Sequence, residues 1–498
     1  MNCFVKLIVF LIINGVVNSN QAKSQAGVNQ PNIIILLTDD QGYGDLGRHG
    51  HPLLKTPNMD RLYDESVRFD NFYVSPSCSP TRASLMTGMH EFKNGVTHTI
   101  VPREHLNIEA TILPQLLKTV GYKTGFIGKW HLGGGEGYSP KERGFDIVPK
   151  VPGNGKDFSL HTFMNGEERE AFREDIYFDE AMSFIEQNND DPFFLYLATY
   201  APHTPLVAPE KDIAPYRVDG VSEAEATYLG EIANVDKNLG KLLKFLEDKK
   251  LDENTIVILM NDNGVTMGLD VYNAGMRGCK CTIWHGGSRA MSFWRWPNTW
   301  KPHVANNLTA HLDVLPTLCD ITGVEIPEEI QSELDGFSLV PLLENEEPQS
   351  WHDDRYLFQH VARWPAGLAA SHKYAMCGVR QGSYLLLQSA PCSDDALCLE
   401  QLSQCTFLRA TKAGGTSETY TKANAQFHWG VSPQDTWVLY DTNLDPACQN
   451  NLSETNPELV KSLSEAYDNW WEAVYPEMIR LGGDKGEFRP VGNYVRNK

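Results

Sequence analysis

The chain is poor in positive charge: 43 lysines and arginines stand against 64 aspartates and glutamates, for a formal net charge of −21, and no run gathers the basic residues together. Neutralising a phosphate backbone needs such a run, so nucleic acid is excluded as a partner. An acidic protein that acts on an anionic substrate must then concentrate its cations inside the site. Internal repeats and low-complexity tracts are missing too. Long apolar runs are scarce. Beyond Leu7-Ile8-Val9-Phe10-Leu11-Ile12-Ile13 none is long enough to span a bilayer, so no stable membrane span is expected and the mature protein is expected to be soluble. That first run follows a single lysine, Lys6, and gives way to Val17-Asn18-Ser19, the layout of a secretory signal over residues 1–19, with a retained anchor as the competing reading.

What is present reads as a large folded protein. With 498 residues, 41% hydrophobic and 10% aromatic, the chain can bury an extensive core. Secretion changes the reading of its ten cysteines. Apart from Cys3 and Cys78, eight remain, Cys279, Cys281, Cys319, Cys377, Cys392, Cys398, Cys405 and Cys448, and an even number in an oxidising compartment suggests disulfides of undetermined connectivity. Asn307-Leu308-Thr309 and Asn451-Leu452-Ser453 are glycan acceptors if the source is eukaryotic.

Asn32-Ile33-Ile34-Ile35-Leu36-Leu37 fits a strand buried on both faces of a mainly parallel sheet, as do Phe193 to Leu197 and Thr255 to Met260. Helical patterns lie between them, so the fold class is α/β, a sheet sandwiched by helices. A polar, proline-containing stretch from Glu344 to Ser350 divides a catalytic domain at 28–350 from a C-terminal subdomain at 351–498. There Arg355 to Val361, Tyr384 to Leu387 and Trp437 to Tyr440 suggest an antiparallel sheet, with Gln381-Gly382-Ser383 as a turn. A helix from about Pro457 to Tyr475 carries Leu459, Leu463, Tyr467, Trp470 and Val474 on one stripe.

In such sheets ligands bind beyond the carboxyl ends of the strands, and that is where the polar residues fall. Asp39-Asp40 follows the first strand, His203 lies past the second, and Asp262-Asn263 follows the third. Asp39, Asp40, Asp262 and Asn263 make an all-oxygen set suited to Ca²⁺ or Mg²⁺ rather than zinc. Lys129 and His131 flank Trp130 and point the same way on an extended segment. His203, between Pro202 and Pro205, is a candidate acid or base, and Lys280 sits between Cys279 and Cys281, facing opposite to both sulfurs if that segment is a strand. Cys78-Ser79-Pro80-Thr81-Arg82 runs into a helix start read at Ala83 to Gly88, which surrounds the cysteine with groups suited to an anion. An ordinary buried cysteine beside a capped helix is the bland alternative. Trp284, Trp294, Trp296 and Trp300 suit stacking on sugar rings, or packing.

Cys78-Ser79-Pro80-Thr81-Arg82 with Leu85-Met86-Thr87-Gly88 resembles the signature of the type I sulfatases, the formylglycine-dependent arylsulfatase group of the alkaline-phosphatase superfamily. The segments Asp39 to Asp45, Gly128 to Gly133, Pro202 to Pro205, Asn261 to Gly264, His311 to Thr317, Asp335 to Leu339 and Leu439 to Asp441 resemble its other motifs in order. The family commonly has a small residue such as glycine after the lysine, where this chain has Cys281.

The resemblance implies an alkaline-phosphatase-like sandwich with a smaller C-terminal domain, and hydrolysis of aryl or carbohydrate sulfates. It implies that formylglycine-generating machinery converts Cys78 to formylglycine during secretion. The metal, Ca²⁺ or Mg²⁺, would be held by Asp39, Asp40, residue 78, Asp262 and Asn263. Arg82, Lys129 and Lys280 would stabilise charge, His203 would protonate the leaving oxygen and His131 would release sulfate. It implies a secretory route ending outside the cell, in a lysosome or in a periplasm. A phosphoester or phosphonate hydrolase of the same superfamily, and a sulfoglycan-binding protein without turnover, are the rival readings.

Overall fold

The computed structural model describes residues 30–153, 155–345, 351–364, 366–388 and 436–486. The signal-like segment, most of the 344–350 stretch, and Cys392, Cys398 and Cys405 lie outside them. The strand Asn32–Thr38 is buried at every position, and its side chains alternate between two cores. Ile34 and Leu36 enter one core, while Ile33, Ile35 and Leu37 enter the other. Phe193–Ala198 and Thr255–Asn261 divide in the same way, which is why these runs are continuously apolar rather than alternating.

The seven-stranded sheet has the order His303–Ala305, Val67–Phe69, Ser292–Arg295, Thr255–Asn261, Asn32–Thr38, Phe193–Ala198, Lys123–Gly128. Its centre is parallel, while Ser292–Arg295 runs antiparallel to both of its neighbours. The register sets Leu37 beside Ala198 and Thr38 beside Asn261, so the central strands finish level with one another. Helices Arg173–Asn188 and Glu223–Asp248 cover one face, and Cys78–Thr87, Leu113–Lys118 and Val314–Thr322 cover the other. A capping box starts the long helix: Ser222 Oγ accepts from the Glu225 N–H, and Glu225 accepts from the Ser222 N–H. No helix of the described residues is long and apolar enough to cross a membrane.

The later residues form a four-stranded antiparallel sheet, Leu357–His360, Cys377–Gln381, Tyr384–Gln388 and Val438–Asp441, packed on the helix Pro457–Arg480. One strand escapes the sequence reading and one helix end is corrected. Cys377–Gln381 is a strand whose mixed composition hid it, and the helix continues past Tyr475 with Pro476 inside it. Trp471 rather than Trp470 is the more buried of that pair. Arg355, just before this sheet, makes a two-pronged ion pair with buried Asp313 at 2.8 and 3.0 Å. Cys319, Cys377 and Cys448 are buried, and none of them is joined to another cysteine among the described residues. Trp284, Trp294 and Trp300 are buried, so they pack rather than offer faces to a sugar.

Candidate active site

The level strand ends set out the site. Asp262 donates its N–H to Thr38 O, Asp39 donates to Ala201 O, and Lys129 donates to Ala198 O, so each functional residue is held by its own backbone to a neighbouring strand or loop. At Gly128 the backbone takes a φ of +105°, and a Cβ there would lie 1.8 Å from Ala198 O. Only glycine brings Lys129 this close to the neighbouring strand. Asp40 has a φ of 70°, and its N–H donates to Asp262 Oδ1 at 3.1 Å.

Position 78 is the first residue of a helix, Cys78–Thr87, that begins five residues before the start read from the sequence. The thiol lies 3.3 Å from Asn263 Oδ1 and receives a hydrogen bond from Lys280 Nζ at 3.1 Å. Lys280 also pairs with Asp40, and Lys129 pairs with Asp39. Arg82, one turn into the helix, donates to Asp262 Oδ2 at 2.8 Å and to Lys129 O at 2.7 Å.

Asp39, Asp40 and Asp262 thus face Arg82, Lys129 and Lys280 in a space where the acids and Arg82 are wholly buried and the lysines nearly so. Burial is the largest influence and would raise Asp39 and Asp40, but the surrounding basic groups together outweigh it, Lys129 with Arg82 and Lys280 at the first and Lys280 with His203 and Lys129 at the second, and hold both carboxyls below their ordinary range. Asp262 goes the other way, raised to about 6 by burial and by Asp39, even with Arg82 beside it. Burial, joined by Asp262 and Asp39, pushes the Cys78 thiol far up, although Lys129 and Lys280 oppose this. A thiolate nucleophile is therefore disfavoured in a site otherwise built for anions.

The two histidines lie at the open side. His203 keeps 21% of its side chain exposed and His131 20%, against 5% or less for the other members. His203 Nδ1 lies 2.6 Å from the Thr204 carbonyl oxygen, and Nε2 is 3.7 Å from Asp40 Oδ2. Burial, then Lys129, lowers His203 to about 3. Lys129 and His131 do not lie on an extended segment as expected, because the strand ends at Gly128 and His131 has a φ of 60°. Lys129 turns inward to Asp39, whereas His131 Nε2 meets Thr99 O at 3.2 Å and Glu104 Oε2 at 3.3 Å. The Lys280 segment is likewise a turn, with Cys281 at a φ of 64°. Sequence reasoning missed Glu104, Thr99 and Tyr200, whose ring lies 5.6 Å from Lys129 Nζ. None belongs to a motif, and only the fold brings them here.

Whether a hard cation fits is answered by the donors. Asp39, Asp40, Cys78 and His203 present ligand atoms within 4.8 Å of one another. Asp39 Oδ1 and Asp40 Oδ2 are buried with no hydrogen-bond partner, as oxygens awaiting a cation would be. Asn263 turns its Oδ1 to position 78 while its Nδ2 donates to Asp40 at 2.9 Å. Asp262 is more committed, to Arg82 and to the Asp40 N–H. The residues fit a Ca²⁺- or Mg²⁺-like ion.

A family model described as Sulfatase matches residues 31–324, and one described as N-sulphoglucosamine sulphohydrolase, C-terminal, matches 281–394. Arylsulfatase J of Mus musculus is 29% identical over 91% of this chain and 77% of its own length. N-acetylgalactosamine-6-sulfatase of Homo sapiens is 33% identical over 63% of this chain and 66% of its own length. Ps i-CgsB, solved in complex with k-i-k-neocarrahexaose, shares the fold with a TM-score of 0.71 at 24% identity, over 92% of this chain and 100% of that one. A structure in complex with its substrate D-glucosamine-2-N,6-O-disulfate superposes with a TM-score of 0.63 at 21% identity, over 92% of this chain and 100% of that one. The sandwich is accordingly the alkaline-phosphatase-like fold. The model match alone covers more than half of the sequence, and the chain belongs to the sulfatase family of sulfuric ester hydrolases.

Proposed function

We propose that the protein hydrolyses sulfate esters of a glycan or an aryl alcohol, with residue 78 acting as formylglycine, the aldehyde made from Cys78, in its hydrated form. The observation that carries this is the setting of Cys78: at a helix N-terminus, touching Lys280 and Asn263, with its thiol held protonated by burial and by Asp262 and Asp39. A thiol gains nothing there. A hydroxyl beside the same carboxylates and cations is in place to attack sulfur.

Asp39, Asp40, Asp262 and Asn263, with residue 78, would hold a divalent cation, Ca²⁺ or Mg²⁺. When bound, such a cation acidifies a hydroxyl and offsets negative charge on sulfate. Three carboxylates and three basic side chains balance one another, so a dication leaves the pocket about two charges positive, matching the sulfate dianion it must release. Arg82, Lys129 and Lys280 stabilise the charge that develops on the sulfuryl oxygens. Asp262 helps to draw the proton from the attacking hydroxyl, and His203 delivers one to the departing oxygen. The sulfate group then sits on residue 78, and His131 takes the proton from the remaining hydroxyl, which restores the aldehyde and frees sulfate.

The signal-like N-terminus supports delivery through a secretory route, where the aldehyde is installed. The reading is tested by offering paired aryl sulfate and aryl phosphate, alongside 6-sulfated amino sugars, to protein carrying the aldehyde. Sulfate release with little phosphate release is expected. Phosphate turnover in excess of sulfate, or none of either, sinks it.

A further inference from the structure

Arg103 ties the loop around residues 97–105 to the body of the protein. Its guanidinium donates to Trp364 O at 2.7 Å, to Ala362 O at 2.5 Å and to Thr97 Oγ1 at 2.9 Å, and Thr97 in turn donates to Gly483 O. The neighbouring Glu104 takes no part in this anchoring. Its carboxylate instead meets His131, with the two side chains 16% and 20% exposed.

The identity of the partners fixes the histidine's proton. Thr99 offers a carbonyl oxygen and Glu104 a carboxylate oxygen, both acceptors, and both lie at Nε2. The proton of the neutral ring therefore resides on Nε2, and Nδ1 carries the lone pair. Nδ1 is buried and has no hydrogen-bond partner among the described residues. The contact is half-buried, and it places the carboxylate at one ring nitrogen while the other is left without a partner.

We propose that Glu104 is a positioning residue for sulfate release: it holds the His131 ring with its proton on Nε2, so that Nδ1 accepts the proton of the hydroxyl left on sulfated residue 78. The O–H bond breaks with its proton moving to Nδ1, its electron pair forms the carbonyl, and the carbon–oxygen bond to sulfate breaks with its pair leaving on sulfate. Glu104 then faces the imidazolium and stabilises it. This rests on the formylglycine reading above.

The test uses the full chain with the aldehyde installed, comparing wild type, Glu104→Gln, Glu104→Asp and His131→Ala by acid-quenched mass spectrometry of the residue 78 peptide during turnover of an aryl sulfate. In Glu104→Gln the peptide is expected to accumulate in a form heavier than its hydrated aldehyde by SO₃, after a burst of one phenol per enzyme. Both kcat and KM are expected to fall about 10–100-fold together, leaving kcat/KM near its wild-type value. Glu104→Asp is expected to recover part of kcat. The inference is overturned if His131→Ala accumulates the sulfated peptide and Glu104→Gln does not, if kcat/KM falls in place of KM, or if Glu104→Gln fails to fold while Glu104→Asp behaves as wild type. A wild-type enzyme that turns over with no aldehyde at residue 78 overturns the formylglycine reading instead, and is distinguished by that peptide's mass before substrate is added.

Discussion

Arg82 Nη2 donates to Asp262 Oδ2 at 2.8 Å, an ion pair spanning 180 residues of sequence with neither side chain exposed. The same guanidinium holds the Lys129 carbonyl, so one residue of the Cys78–Thr87 helix fixes two strand ends. Arg82→Gln leaves Asp262 buried without its charge partner, at a cost of about 3–5 kcal/mol. Urea unfolding is expected to show that loss together with loss of sulfatase activity. Unchanged stability would mean that the pair does not organise the site.

The proposed acid role of His203 requires it to be protonated, and burial followed by Lys129 lowers it to about 3. Above that value the protonated share falls about tenfold for each pH unit, so turnover of a sugar sulfate, whose leaving oxygen needs the proton, declines as pH rises. An activated aryl sulfate leaves without that help. His203→Ala is expected to slow the sugar sulfate about 10²–10⁴-fold, to slow a nitrophenyl sulfate far less, and to abolish the declining limb. Equal losses on both substrates would assign His203 a different task.

Gly128→Ala places a methyl group against Ala198 O, and the backbone must separate there. Turnover is expected to fall with little change in the far-ultraviolet circular dichroism, because the disturbance is confined to the ends of two neighbouring strands, beside Lys129. Full activity in this variant would show that the close approach is dispensable.

Arg355 carries the ion pair to Asp313, whose carboxylate also accepts from the N–H groups of Ala310 and Phe337. Arg355→Leu is expected to destabilise the protein by about 3–5 kcal/mol by leaving that buried carboxylate without its cation. Thermal unfolding at neutral pH reads this directly, and an unaltered midpoint would contradict it.

The central strands and the residues at their ends were legible because burial on both faces writes a continuous apolar run, and the strand order then delivers Asp39, Asp40, Asp262 and Asn263 to one edge. Cys377–Gln381 was not legible. It buries Arg380, whose guanidinium lies 3.9 Å from the centre of the Tyr73 ring, so its composition reads as polar while its surroundings are core. The divergence of Lys129 and His131 was hidden for another reason: a left-handed backbone at a histidine leaves no mark in the residue pattern. Glu104 reaches the site from a loop whose anchor is a neighbouring arginine, a relationship set by tertiary contacts alone.

The most direct test is the mass of the peptide that contains residue 78, taken from active protein of the native source. The expected peptide carries an aldehyde, lighter than the thiol form by the exchange of H₂S for O, and its abundance tracks specific activity between preparations. A peptide that retains the unmodified Cys78 thiol in fully active enzyme would contradict the account.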